Sequence, residues 1–580
     1  MQTAIQYKLN FNPKTHLIHV SVSISAPEET VLVRLPTWIA GSYMVREFAK
    51  HLVTIEGNCT IQKLDKSTWQ LSQKWLVSEP WVLNYAVYAY DLSVRGAYLD
   101  DSRCFFNATS VCLSVDGYTQ APHQLHIQQP SEKTLWTVAT MLDKVAVDAS
   151  GFGVYQAADY DELADTPVDM APMRRFEFDV AGATHELVVS GCVADFDAAR
   201  LVADTQAICQ AQIDFFGTGH PFKKGRYIFM LYVGNGIYGG LEHRDSTALM
   251  CDRKSLPALG ANERSDDYVT LLGLISHEYF HNWNVKRIKP AAFVPYDLSQ
   301  ENYTTLLWAF EGITAYYDDV FLVRAGLISP ERYLGLMAKT LSAVERTAGR
   351  HQQSLAEASF DAWIKQYRPD ENAPNSHISY YTKGSLAALC LDLLIRNQTQ
   401  QRLSLDDVMR QLWQDYLAQG DDYQGVGEGD WEAIAAQVTG LNLSDFFELA
   451  IRSTADLPVI DCLAVGGVAL EWQTANIAAD LGVTATPHAM GLLLNHVKSG
   501  GAAEVAGLAG GDILLALNGL KVGKTLEETL AAYEAETTLS YHAFRREYLL
   551  SGLVTLQASS PHTAVLKAFN DSALLAWLKP

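Results

Sequence analysis

Residues 277–281 read His-Glu-Tyr-Phe-His, and this pattern constrains the fold more than any other feature of the chain. On an α-helix, residues i and i+4 lie on one face about a turn apart, so His277 and His281 can reach one metal ion while Glu278 stands beside them. The stretch around the motif is predicted to be helical. A pattern with three fixed positions also occurs by chance in long chains, so a metal site requires further ligands elsewhere in the sequence.

The composition is that of a globular protein with several domains. The chain has 580 residues, of which 48% are hydrophobic and 19% are charged, which is enough material for three or four buried cores. Lys and Arg total 44 against 66 Asp and Glu, for a formal net charge of −22. Such a chain is repelled by phosphate backbones and anionic lipid, so we expect neither nucleic acid nor membrane partners.

The cysteines and the start of the chain predict a cytoplasmic protein. No basic region followed by an apolar one begins the sequence, and no uninterrupted apolar run reaches membrane-spanning length. The cysteines lack CxxC spacing, so we expect mostly buried, reduced thiols rather than a disulfide scaffold. The eight are Cys59, Cys104, Cys112, Cys192, Cys209, Cys251, Cys390 and Cys462.

Hydrophobic patterning predicts an α+β protein of several domains. Residues 5–11 and 20–24 alternate apolar and polar side chains around a turn at 12–15, which predicts an opening β-hairpin. Similar runs continue to about residue 160, so residues 1–170 are predicted to form an all-β, sandwich-like domain. Helical periodicity dominates from 266 to 453, after a predicted strand at 227–233. Residues 171–455 are therefore predicted to form a mainly helical catalytic domain with a small sheet.

The last part of the chain, residues 456–580, resembles a PDZ domain. A glycine-led loop at 490–491 precedes the apolar run 492–494, and residues 507–519 read Gly-Leu-Ala-Gly-Gly-Asp-Ile-Leu-Leu-Ala-Leu-Asn-Gly. PDZ domains bind an extended peptide at an exposed strand edge and hold its C-terminal carboxylate with backbone N–H groups. Two alternatives stay open: a peptide ligand in this groove, or a covered edge that packs on the rest of the protein.

A third metal ligand is expected downstream of the histidines, because catalytic zinc takes three protein ligands and keeps one position open. Glu311, in the predicted helix Trp-Ala-Phe-Glu-Gly at 308–312, is the best candidate. Glu301 competes for this role but lies in a turn-like segment. With Trp283 two residues after His281, the two motifs resemble those of the gluzincin peptidases, which have a thermolysin-like fold. This resemblance implies that the glutamate of the second helix binds the metal.

The other catalytic roles follow from charge and resemblance. Zinc lowers the pKa of a bound water to about 7, and Glu278 would accept the proton of that water. Tyr381, in Tyr-Tyr-Thr-Lys-Gly at 380–384, resembles the tyrosine of gluzincins that donates to the oxyanion. Tyr380 is an alternative donor.

A predicted substrate strand precedes the metal motif. Residues 239–243 read Gly-Gly-Leu-Glu-His and resemble the G-x-M-E-N strand of gluzincin aminopeptidases. The resemblance implies that Gly239 and Gly240 let a peptide approach and that Glu242 pairs with the substrate ammonium. His243 stands where that motif has Asn and would be a neutral hydrogen-bonding group near the substrate.

Along nearly its full length the chain resembles the glycyl aminopeptidase family of bacterial zinc metallopeptidases. The resemblance rests on residues 277–290, 308–317 and 380–384, on 38–46 and 91–106 in the N-terminal region, and on the PDZ-like end. It implies one Zn²⁺ per chain and removal of N-terminal glycine, then alanine, from peptides with a free N-terminus. Bulky side chains such as Tyr303 or Phe310 would be consistent with a small pocket for the first residue, but core positions are the favoured interpretation of both.

Two other functions remain open at this point. In the first, the PDZ groove binds peptides and the metal is structural, although the sequence suggests no fourth Cys or His ligand nearby. In the second, the protein is a zinc endopeptidase, which would cleave a peptide with a blocked N-terminus.

Overall fold

The computed structural model describes residues 5–25, 29–73, 80–191, 194–474 and 478–579. The chain divides into two compact units: residues 1–303 with 412–427, and residues 304–411 with 428–580. It is a mixed α/β protein in which strands dominate up to about residue 250 and helices follow. The division into domains at residues 170 and 455 stays a prediction.

The largest sheet of the first unit has seven strands and contains the predicted hairpin. Ile5–Asn12 pairs antiparallel with Leu17–Ile24 in one unbroken register, from Ile5 opposite Ile24 to Asn12 opposite Leu17. Buried and exposed residues alternate along most of the first strand, so its apolar side chains share one face. In sheet order the strands are Asp143–Val147, Gly153–Ala157, His123–Ile127, Ile5–Asn12, Leu17–Ile24, Trp81–Tyr88 and Leu52–Gly57.

Two four-stranded sheets complete the N-terminal β-rich region. One has the order Ser114–Val115, Thr30–Arg34, Thr68–Ser72, Thr60–Lys63, and the other Thr137–Ala139, Val168–Ala171, Cys104–Phe106, Ala97–Leu99. A single hydrophobic cluster collects buried side chains from these sheets and the seven-stranded one. The predicted all-β N-terminal domain is confirmed. Its short helical elements are Phe48–His51, Ala108–Ser110 and Tyr160–Ala164.

A five-stranded mixed sheet carries part of the candidate site. Its order is Arg174–Val180, Ala183–Gly191, Arg226–Gly234, Ser246–Asp252, Gly239–Glu242, and the last strand is at its edge. The first unit also contains the helices Ala198–Phe216 and Asp266–Phe280 and the short turns Arg253–Ser255 and Ala291–Phe293. The predicted strand at 227–233 is therefore confirmed within Arg226–Gly234.

The second unit begins as a group of helices. Ser329 caps the helix Pro330–Arg346 by accepting from the N–H of Arg332, and a proline occupies its first turn. The remaining helical elements of this unit are Trp308–Gly312, Ile313–Arg324, Ala348–His351, Leu355–Phe360, Ala373–Ser376, Thr382–Gln398, Asp430–Thr439, Ser444–Phe447, Glu448–Arg452 and Val459–Val465. Of the helix Leu405–Gln419, residues 405–411 belong to this unit and 412–419 to the first, which also includes Gly420–Asp422.

The C-terminal part of the second unit is a small β-rich body with its own core. Its six-stranded sheet contains Val483–Pro487, Leu492–Val497, Ile513–Leu517, Leu520–Lys521, Thr538–Arg545 and Tyr548–Thr555. Two short helices, Ala502–Val505 and Leu526–Leu530, contribute side chains to the same hydrophobic cluster. Val468–Gln473 pairs with Thr563–Ala568, Ala479–Asp480 pairs with Gln557–Ala558, and the helix Asp571–Leu578 follows. The PDZ assignment stays a prediction.

The cysteines agree with the expectation of reduced thiols. Seven are unpaired in the described part of the chain, and six of these are buried. Cys192 lies outside the described residues. Within the described ranges, no helix is both long and apolar enough to span a bilayer.

Candidate active site

The metal motif lies at the end of a capped helix. The helix Asp266–Phe280 begins at Ser265, whose side chain accepts from the N–H of Tyr268. His277 and Glu278 lie in its last turn, and His281 is the C-terminal cap residue, still with helical backbone angles. The two imidazole rings are therefore neighbours on one face, with centroids 4.7 Å apart. The predicted placement of the motif on a helix is confirmed up to this cap.

Three side chains form a candidate metal-binding site: His277, His281 and Glu311. Each offers one ligand atom, and these atoms lie within 4.8 Å of one another. Nδ1 of His281 lies 2.7 Å from the carbonyl oxygen of Asn284, which orients the ring and leaves Nε2 as its ligand atom. Two imidazoles and one carboxylate are a donor set of catalytic zinc sites, so the residues fit such an ion. The competing Glu301 is not part of a possible metal-binding group among the described residues.

Glu311 is positioned by an unusual turn and a close backbone contact. It is 1% exposed and lies on the π-helical turn Trp308–Gly312, which leads into the helix Ile313–Arg324. π-Helical turns are rare and frequently occur at functional sites. A Cβ built on Gly312 would lie 2.7 Å from Cα of Gly384. Only glycine allows this approach, which places the motifs of Glu311 and Tyr381 next to each other.

The two candidate tyrosines differ in their surroundings. Tyr380 is fully buried, whereas Tyr381 is half-buried and its hydroxyl lies 2.9 Å from that of Tyr367. Burial raises the pKa of Tyr381 well above its ordinary value, and the neighbouring Glu311 carboxylate raises it further. Tyr381 therefore keeps its proton at neutral pH and can donate a hydrogen bond. Tyr367 belongs to a segment without a recognisable motif, and the sequence did not indicate it.

The strand Gly239–Glu242, called the edge strand below, presents polar backbone groups at the margin of its sheet. It pairs antiparallel with Ser246–Asp252 and has no strand on its other side in the described structure. The N–H of His243 donates to the carbonyl of Ser246. Because hydrogen-bonded and non-bonded pairs alternate in an antiparallel ladder, the N–H and C=O of Gly240 and Glu242 point toward the free edge.

The two carboxylates with predicted roles in the reaction, Glu242 and Glu278, lie on or beside the edge strand. A Cβ built on Gly240 would overlap the carboxylate of Glu278, so the glycine gives room to that side chain. Glu242, Glu278 and His281 each offer a polar atom, and these atoms lie within 4.8 Å of one another. All three residues belong to the first unit. The carboxylate of Glu242 is therefore close to both Glu278 and His281 of the metal motif.

No cationic side chain pairs with the buried carboxylate of Glu242 in the described part of the chain. Glu242 is 3% exposed, and its Oε1 has no hydrogen-bond partner in the described structure. Gly41, with φ +91°, packs on it so tightly that a Cβ would overlap both carboxylate oxygens. A buried carboxylate normally has a charged or hydrogen-bonding partner, so this one is suited to receive a cationic group from a ligand. Gly41 is more than 200 residues away in sequence, and no local pattern linked it to Glu242.

His243 belongs to a different set of contacts. It is 1% exposed, and its Nδ1 lies 3.4 Å from Oδ1 of Asp165. Asp165 also binds Lys286 Nζ at 2.7 Å and Arg244 Nε at 2.8 Å. Burial raises the pKa of this aspartate, but the neighbouring Lys286 and Arg244 outweigh it and hold the pKa well below the ordinary value. The predicted role of His243 at the substrate stays a prediction.

The two residues suggested for a small first-residue pocket differ in exposure. Phe310 is fully buried, whereas Tyr303 is 49% exposed. Phe310 is therefore a core side chain. Tyr303 is accessible to solvent in the described structure.

The chain is similar to peptidases of one family. Residues 270–387 match the sequence model described as M61 glycyl aminopeptidase, and residues 6–172 match the one described as Peptidase M61 N-terminal domain. Among solved structures, an aminopeptidase N family protein from Idiomarina loihiensis is 38% identical and has a TM-score of 0.94. The match covers 99% of this chain and 100% of that one.

A second solved structure is much less similar. Legionella pneumophila aminopeptidase A in complex with aspartic acid is 11% identical, with a TM-score of 0.47 over 78% of this chain and 49% of that one. No curated protein matches the chain.

Proposed function

Because the chain belongs to the M61 glycyl aminopeptidase family and is a peptide hydrolase, we propose that it is a zinc-dependent aminopeptidase. In this proposal it removes N-terminal glycine, then alanine, from peptides with a free N-terminus. The preference for glycine is supported by the description of the family.

One observation carries the exopeptidase assignment: the buried carboxylate of Glu242 lies within 4.8 Å of polar atoms of Glu278 and His281. In a peptide, the amino nitrogen and the carbonyl carbon of one residue are about 2.5 Å apart. If Glu242 holds the ammonium, only the first peptide bond lies beside Glu278. An endopeptidase would need space for further residues on that side, where Glu242 and Gly41 are in contact instead.

Each protein group then has a defined task. Glu242 holds the substrate ammonium by a charge-assisted hydrogen bond. Glu278 accepts a proton from the attacking water and delivers it to the leaving amine. The Tyr381 hydroxyl donates to the carbonyl oxygen as negative charge develops there.

The ligands His277, His281 and Glu311 would hold the zinc ion, one per chain. A zinc ion bound there supplies a Lewis acid and lowers the pKa of a coordinated water to about 7. The Asn284 carbonyl keeps His281 in the required orientation.

We also propose that the C-terminal β-rich body has a PDZ-type fold. Its support is the antiparallel sheet with two short helices around one core. One end of the strand Leu492–Val497 contacts the helical part of the same unit: Asn375 Nδ2 donates to the carbonyl of Val497 at 2.9 Å. His496 Nδ1 lies 2.9 Å from the carbonyl oxygen of Glu371. These contacts favour a packing role at that end, and binding of C-terminal peptides to the full-length protein would test the groove.

Metal analysis combined with a panel of arylamides tests the main proposal. We expect about one zinc per chain, hydrolysis of glycyl and then alanyl arylamide, loss of activity with a chelator and recovery with added zinc. An N-acetyl-glycyl arylamide should resist hydrolysis, because it has no ammonium for Glu242. Its cleavage at a comparable rate would contradict the aminopeptidase assignment and favour an endopeptidase.

A further inference from the structure

An arginine of the N-terminal β-rich region lies against the edge strand. Arg95 precedes the strand Ala97–Leu99, and its Nη2 donates to the carbonyl oxygen of Gly240 at 3.5 Å. A Cβ built on Gly239 would lie 3.8 Å from Nη1 of the same guanidinium. Arg95 is therefore beside both glycines predicted to contact a peptide backbone.

The contact with Gly240 places the guanidinium where a bound peptide would lie. The carbonyl of Gly240 points toward the free edge, since Gly240 and Leu249 form a non-hydrogen-bonded pair. A peptide that adds to this edge as a strand uses the same row of backbone groups. Arg95 thus stands at the end of that row opposite to Glu242.

The guanidinium has no anionic partner in the described structure. Its one hydrogen bond there is the long one to Gly240, since the other hydrogen bond of Arg95 is donated by the backbone N–H to Ser93. The Nε of the guanidinium is buried without a partner. The carboxylates on or beside the edge strand, Glu242 and Glu278, serve the ammonium and the proton transfer in the proposed reaction. In a chain of net charge −22, an unpaired arginine at such an edge is suited to an anionic group of the ligand.

The spacing along the strand indicates which anion this is. Residues of an antiparallel strand advance about 3.4 Å each, so Glu242 and Gly240 are about 7 Å apart along the edge. A peptide whose ammonium is at Glu242 and which runs antiparallel to the edge strand has its second or third residue at Gly240. In a dipeptide or tripeptide, the C-terminal carboxylate then reaches Arg95.

We propose that Arg95 binds the C-terminal carboxylate of dipeptides and tripeptides, which makes short free peptides the preferred substrates. This inference rests on the proposed aminopeptidase function and adds a second charged anchor to it. Arg95 pairs with the end of the substrate and takes no part in the proton transfers.

The test compares trialanine with trialanine amide, which differ only in the terminal charge. We expect wild-type protein to favour the free acid in kcat/KM by about 10- to 100-fold, the size of one charge-assisted hydrogen bond. Arg95→Met should bring this ratio close to one, mainly by raising KM for the free acid. Arg174→Met, which alters an exposed arginine stacked on Phe196, is the matched control and should keep the wild-type ratio.

A binding experiment makes the result independent of turnover. In the background Glu278→Gln, calorimetry should give tighter binding of trialanine than of its amide, and adding Arg95→Met should remove the difference. Equal binding of acid and amide before that addition, or equal wild-type kcat/KM, would refute the role of Arg95. Alanyl arylamide separates the two proposals. If the wild-type protein does not hydrolyse it, the aminopeptidase function is wrong. If the protein hydrolyses it but does not prefer trialanine over trialanine amide, only the role of Arg95 is wrong.

Discussion

Two largely buried carboxylates of the first unit, Asp165 and Glu242, have opposite surroundings. Asp165 binds Lys286 and Arg244 at 2.7 and 2.8 Å, and both contacts are charge-assisted. Glu242 is even less exposed than Asp165, yet one of its oxygens has no hydrogen-bond partner in the described structure. The residues are joined through His243, which contacts Asp165 and follows Glu242 in sequence. The difference teaches that a buried charge stabilises the fold where its partners are internal and serves a ligand where they are missing.

The largest effect is expected at Glu278, the carboxylate beside Glu242. Glu278→Gln removes the proton acceptor while keeping the shape, so kcat for glycyl arylamide should fall by about 100- to 10,000-fold. Zinc content and the unfolding temperature should stay at wild-type values. Retained turnover in a metal-loaded variant would show that Glu278 is not the base.

The next effect concerns the hydroxyl donor. Tyr381→Phe should lower kcat by about 100- to 1,000-fold, as expected when one oxyanion donor is removed, with a smaller change in KM. Tyr380→Phe is the matched control, because that ring is fully buried and stacks on Tyr381 with a centroid distance of 4.7 Å. A larger loss in Tyr380→Phe would assign the role to Tyr380.

Asp165→Asn tests whether the carboxylate with internal partners stabilises the fold. This change leaves Lys286 and Arg244 without their shared charge, so the free energy of unfolding should fall by about 3 to 5 kcal/mol. Because the pKa of Asp165 is lowered in the folded state, its charge stabilises the fold at pH values above the ordinary pKa of 3.8. That contribution is lost as the pH falls through the folded-state pKa. Denaturation in urea at neutral and acid pH measures both. A variant as stable as wild type would show that the cluster does not stabilise the fold.

The smallest effect is expected at Glu242, the carboxylate proposed to bind the ligand. Glu242→Gln removes the ammonium partner, which should raise KM for glycyl arylamide by about 10- to 100-fold. The unfolding temperature should not fall, since an unpaired buried charge is removed. If Glu242→Gln unfolds as easily as Asp165→Asn, the distinction between the two carboxylates is wrong.

Local sequence patterns predicted the elements of the site, but not the contacts between distant segments. Two histidines four residues apart define a helix face by themselves, and the hairpin at residues 5–24 follows from strict alternation. Gly41 and Arg95 reach the edge strand only because the N-terminal strands fold against it through a shared core. Their spacing from Glu242 carries no periodic signal. Likewise, the partners of Asp165 come from two distant segments, His243 with Arg244 and Lys286, so its role could not be predicted from its neighbours in sequence.

The close packing of Gly312 on Gly384 gives a practical criterion for related chains. Each glycine follows a motif residue: Gly312 comes directly after Glu311, and Gly384 lies three positions after Tyr381. A Cβ at Gly312 would lie 2.7 Å from the opposite backbone, and one at Gly384 would lie 3.0 Å from it, so a side chain at either position would push the two segments apart. A related sequence that keeps the histidines, the glutamate and the tyrosine but has lost one glycine would hold every reactive group and still be a pseudoenzyme. Screening related sequences for this pair of glycines would separate active enzymes from such pseudoenzymes before any protein is made.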